Sequence, residues 1–134
     1  MLKKTYKPVI IWSVLFVIFS CLPAFVLPGL GAVALTALSL NIVSLGMLLI
    51  MYYVYKKEYV YYFTGITYEE ADKAGSYRRK RYRLCHLKLF AFSRVIILIF
   101  TVIFLAMDLS VWAHIAAFAT VYICAAIWSV RYKL

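Results

Sequence analysis

From residue 8 to residue 55 this chain carries no charged side chain. As one helix the run would reach roughly 70 Å, while the hydrocarbon core of a bilayer is about 30 Å thick. It therefore crosses twice. The break stands in LPGLG, where Pro28 stops a helix and Gly29 and Gly31 allow a tight turn. The first two spans are predicted at 8–27 and 30–55. Residues 95–130 hold one charge, Asp108. There MDLS at 107–110 supplies a turn, with Asp108 or Ser110 as N-cap, so the last two spans fall at 88–107 and 110–130.

Composition agrees. A soluble domain of 134 residues, 66% of them hydrophobic, could not bury its apolar side chains. The expected fold class is an all-α integral membrane protein. Its four transmembrane helices form two hairpins in a single domain, 1–134, with a basic loop at 56–87.

The net charge of +10 is informative by its distribution. Lys3, Lys4 and Lys7 precede the first span, and Arg131 and Lys133 follow the fourth. The other ten basic residues lie between Lys56 and Arg94. Four crossings bring these three regions to one side, and the two turns on the other side hold no Lys or Arg. The positive-inside rule then puts both termini and the central loop in the cytoplasm, with a bacterial plasma membrane as the expected location. The run RRKRYR reads as a topology determinant. Its Arg78, Arg79, Lys80, Arg81 and Arg83 are candidates for contact with anionic headgroups of the inner leaflet. No separate basic domain supports a nucleic-acid partner. Eleven of the twelve Tyr lie at or beyond the basic ends of the spans, as an aromatic belt weighted to the inner leaflet would.

The N-terminal stretch has a basic start and Cys21 at a lipoprotein-like cleavage position, but Phe19 is bulky for that motif. More apolar chain follows, so the first span is expected to be retained. Cys21, Cys85 and Cys124 show no paired spacing, and no disulfide framework is expected.

Small side chains recur at steps of four and three on two spans. The second carries Ala32, Thr36, Ser39, Val43 and Gly46, and the fourth carries Ala113, Ala117, Thr120 and Cys124. Such stripes let helices approach closely in lipid. These two spans are therefore expected at the centre of the bundle, or against another subunit, with the bulkier first and third spans outside. Both hairpins pair a bulky helix with a small-residue helix, and shared membrane constraints account for that likeness. In the loop, TYEE at 67–70 is a capping box, so a short helix begins there and stops or bends at Gly75. The third helix is expected to extend back as far as Ser76. Glu69, Glu70 and Asp72 stand near the basic run and can neutralise part of it.

Chemistry is sparse. Cys85 and His86 are neighbours, but no second pair stands at metal-ligand spacing, and adjacency is not the geometry of a nucleophile and its base. No phosphate-binding glycine loop or HExxH motif occurs. No catalytic residue, metal or cofactor is expected. Among polar groups in the spans, Arg94 is expected to snorkel to the headgroups. Asp108 belongs to a turn, with His114 one turn deeper. Asn41 is expected to make an interhelical hydrogen bond. Together Asn41, His114 and Asp108 are the candidates for a polar pathway. The first functional expectation is a non-catalytic accessory, regulatory or immunity-type subunit that packs against another membrane protein. The alternative is a homo-oligomeric channel or small transporter lined by the second and fourth spans. A membrane enzyme is a distant third.

Overall fold

In the computed structural model, residues 5–62 and 66–134 are described. The expected flanking positions Lys3 and Lys4 lie outside them. Helix α1 spans Lys7–Val26, with Pro8 in its first turn, where no backbone N–H is needed. Pro23 sits inside the helix, buried against its neighbours. The chain turns through residues 27–31, where the Leu30 amide donates to the Leu27 carbonyl at 3.1 Å. Gly31, extended at φ −63° and ψ 155°, is the N-cap of α2, Ala32–Lys57. A 3-10 turn, Val60–Tyr62, and a short helix α3, Tyr68–Lys73, follow. The capping box of α3 is complete. Thr67 accepts from the Glu70 amide at 3.2 Å, and the Glu70 carboxylate accepts from the Thr67 amide at 2.8 Å.

Helix α4 runs over Ser76–Ala106 and α5 over Val111–Ser129. The two are joined by a tight reversal in which Asp108 adopts a left-handed conformation, φ 50°, and the Leu109 amide donates to the Phe104 carbonyl at 2.9 Å. Asp108 thus closes α4. Ser110 takes the N-cap position of α5 without a side-chain bond to it. Four helices (α1, α2, α4 and α5) are long and apolar enough to cross a membrane.

The packing differs from the expected arrangement in one respect. Helix α2 is central, touching α1, α4 and α5, but its most extensive interface is with α4. The third span thus packs against α2 along one face, while residues such as Phe92, Val95, Ile99 and Val102 are exposed on the other. Its Ser93 and Ile97 are buried, and so are Ala37 and Ser44 of α2. Helix α1 packs mainly on α2, over Gly46. In α5 the buried positions are His114 and Ala125, whereas Thr120 and Cys124 are exposed, as is Ala32 at the start of α2. Thr36, Ser39, Ala113 and Ala117 are half-buried. Alanines of α5 lie on more than one face, with Ala116, Ala119 and Ala126 exposed, so small size alone does not mark the packed side.

Candidate functional site

Two polar assemblies stand out, one at the basic end and one inside the bundle. The basic end is built on tyrosine. Val60, Tyr61, Ala71 and Tyr82 form a buried core, with Tyr59, Tyr62, Ile66, Tyr68, Tyr132 and Leu134 packed around it. The hydroxyls of Tyr61 and Tyr62 both donate to the Thr5 carbonyl, at 3.2 and 2.7 Å. The Tyr6 ring stacks on Tyr62 at 5.9 Å and meets Tyr61 edge-on at 5.6 Å. Burial, reinforced by the neighbouring tyrosines, raises the pKa of Tyr62, and burial likewise raises that of Tyr61. These rings form a packed cap that ties segments from both ends of the chain to the loop. Counting tyrosines near an interface suggested a belt and missed the cluster.

The basic run is divided by this cap. Glu58, left-handed at the end of α2, accepts from Arg79 Nε at 3.3 Å and Arg83 Nη2 at 3.1 Å. Arg83 also donates to the Tyr55 carbonyl, and Arg79 to the carbonyls of Ala71 and Ala74. Those carbonyls belong to the last turns of α2 and α3, where cations offset the helix dipole. Arg79 and Arg83, expected among the headgroup cations, are thus turned inward, with Arg83 only 5% exposed. Arg78, Lys80 and Arg81 remain exposed. Glu58 neutralises part of the basic run, while Glu70 serves the capping box.

Inside the bundle, Arg94 of α4 does not turn back to the basic end. Its Nη1 donates to Asn41 Oδ1 of α2 at 2.5 Å. Asn41 Nδ2 in turn donates to Thr101 Oγ1 of α4 at 2.9 Å and to the Ala37 carbonyl at 2.8 Å. Nearby, the hydroxyls of Ser44 and Tyr122 lie 2.7 Å apart, joining α2 to α5. At about 1.5 Å per residue, Arg94 stands about 18 Å from the Ala106 end of α4, and Asn41 about 14 Å from the Ala32 end of α2. A hydrocarbon core about 30 Å thick that begins at those helix ends would place both near half depth. The amide carbonyl of Asn41 offers an acceptor closer than the headgroups, which explains the inward guanidinium. Among the described residues that is Arg94's one hydrogen bond, and no carboxylate lies within ion-pair distance of it. A guanidinium has five N–H donors, so most remain for another acceptor.

Of the candidate pathway residues, Asn41 is in this chain of bonds, His114 is buried beside it in α5, and Asp108 is exposed at the turn beyond. Arg94, Ser44, Thr101 and Tyr122 belong to the same polar interior. The signal for them was spacing: Arg94, Ile97 and Thr101 fall on one face of α4.

A charged side chain held inside a bundle of spanning helices, with a packed cap at one end, defines the class: a small four-span helical membrane protein with a polar interior. No family model matches the chain, and neither does any curated protein or solved structure.

Proposed function

We propose that the chain is a non-catalytic membrane subunit that assembles with a different membrane protein, and that Arg94 receives a carboxylate from a spanning segment of that partner. The observation that carries this reading is the Arg94 guanidinium near half depth, bonded to a neutral amide and facing no acid. An ionised side chain at the bilayer centre costs about 2.5–3.5 kcal/mol on insertion scales, and such groups are usually paired. The acids of this chain are Glu58, Glu69, Glu70, Asp72 and Asp108. None falls within the interior of a span, so a second copy could not supply a carboxylate at this depth. That favours a foreign partner over a homo-oligomer.

In the same reading both termini and the central loop are cytoplasmic, the four spans form two antiparallel hairpins, and exposed Arg78, Lys80 and Arg81 meet anionic lipid. Purification from native membranes in mild detergent tests the assembly. The expected result is a stoichiometric foreign membrane protein with the unaltered chain, retained in part by Arg94→Lys and lost by Arg94→Leu. The same partner at undiminished yield with Arg94→Leu would refute the role of Arg94. A chain that purifies only with copies of itself would refute the reading as a whole.

A further inference from the structure

His114 is 4% exposed, and its Nε2 is buried without a hydrogen-bond partner among the described residues. Its Nδ1 lies 3.2 Å from the Ser110 carbonyl oxygen. A carbonyl only accepts, so in a neutral ring the proton sits on Nδ1 and Nε2 is a lone-pair acceptor. The ring stands edge-on to Phe104, 5.4 Å between centroids and 88° between planes, in otherwise apolar surroundings.

Thr101 and His114 line the same small cavity, together with Leu40, Ile97, Phe104 and Phe118. The Thr101 hydroxyl donates its one proton to the Ile97 carbonyl at 2.8 Å and accepts from Asn41 at 2.9 Å. A hydroxyl has two acceptor sites, so one remains. Two residues that line one cavity thus each carry an acceptor with no donor among the described residues, His114 at Nε2 and Thr101 at its spare lone pair, and neither can satisfy the other. The occupant required is a molecule with two donors. The cavity leaves about 10 Å³ for the centre of a water-sized sphere, room on the order of a single water.

We propose that His114 and Thr101 hold one internal water, which donates to both. The water brings Thr101 to its full complement of one bond given and two received. It also joins α5 to the chain of bonds already formed by α4 and α2. The donor directions in that chain are fixed by the bonds already described. Thr101 has no proton to offer Asn41, so the amide nitrogen of Asn41 faces Thr101. The amide oxygen is consequently the atom presented to Arg94.

Solid-state NMR on the protein in lipid bilayers, with isotope-labelled histidine and threonine, tests this directly. His114 is assigned by the signals that vanish in His114→Phe, which separates it from His86. The expected result is a proton on Nδ1 and none on Nε2, with early magnetisation transfer from water to His114 and to Thr101. Thr101→Val should abolish the transfer to His114 while the helical signals persist. A proton on Nε2, or absence of early transfer in the unaltered protein, overturns the proposal without recourse to any variant. So does undiminished transfer at His114 in Thr101→Val.

Discussion

The contact between α1 and α2 can be tested at one atom. A Cβ added to Gly46 would lie 2.4 Å from both Cδ2 and Cε2 of Phe16, where ordinary contacts begin near 3.4 Å. The ring has to move by about 1 Å or the helices have to part. Overpacking of this kind costs about 1–3 kcal/mol. Two terms reduce the net loss. Alanine is the better helix former, by about 1 kcal/mol over glycine. The ring also borders a cleft of about 250 Å³ between α1 and α2, walled by Trp12, Met47, Ile50, Met51 and Tyr62, into which it can swing. Gly46→Ala alone is therefore expected to destabilise by about 0–2 kcal/mol, too loosely bounded to decide the matter. The decisive quantity is the coupling. In a Phe16→Ala background the clash is gone and only the gain in helix propensity remains, so Gly46→Ala should become neutral or stabilising. The difference between the two backgrounds should be about 1–3 kcal/mol. Unfolding by SDS titration from mild detergent, followed by far-UV circular dichroism, gives all four stabilities. A coupling below about 0.5 kcal/mol would show that Phe16 does not rest on Gly46.

Other expectations concern the basic end. The bonds from Thr67 to the Glu70 carboxylate hold its pKa below the ordinary carboxylate range. A depressed folded pKa gives stabilisation that is complete above the unfolded value and lost as pH falls through the folded one. Amide-exchange protection of α3 should therefore fall on acidification below about pH 4, and Glu70→Gln should remove most of that dependence. Arg83→Ala should loosen the end of α2, at about 1.5–3 kcal/mol for a charged hydrogen bond, whereas Arg79→Ala should loosen α3, and hydrogen exchange locates each effect. Gln at Arg78, Lys80 and Arg81 together should lower retention of anionic lipid by about 1 kcal/mol per residue, and the loss should be salt-sensitive. Topology should be unchanged, which an impermeant reagent at Ser76→Cys checks in intact cells.

The spans were legible because hydropathy and helix breakers act locally. LPGLG ends α1 at Val26 and starts α2 at Ala32, within two residues of the expected bounds. TYEE is equally local, a reciprocal bond across three residues. Which helix lies inside is a different kind of fact. Ser93 and Ile97 face α2 or α5 by virtue of rotation about an axis, and lipid is as apolar as a packed core, so burial leaves no strong mark in hydropathy. Small residues were a partial substitute. They marked Gly46, where Phe16 sits, whereas Thr120 and Cys124 are exposed in the single chain and alanines lie on several faces of α5. The tyrosine cap was illegible for another reason. Tyr6, Tyr61, Tyr82 and Tyr132 come from segments far apart in sequence, and amphipathic rings suit a membrane interface as well as they suit one another.

The depth of Arg94 separates structure from function in a way that its neighbours do not. A hydrogen bond to a charged group contributes about 1.5–3 kcal/mol, against about 2.5–3.5 kcal/mol for placing the charge at the bilayer centre. Asn41 therefore comes near to offsetting the cost but supplies no opposite charge. Because the bond and the cost nearly cancel, a leucine at Arg94 should change the stability of the isolated protein little. Asn41 would keep its bonds to Thr101 and Ala37. The isolated protein with Arg94→Leu should therefore be at least as stable in detergent as the original, while its assembly in native membranes fails. On the proposed reading, a side chain that contributes little to its own fold at a depth where it is costly has its benefit in a complex. Marked destabilisation of the isolated Arg94→Leu protein would reverse that inference and make the guanidinium an internal strut.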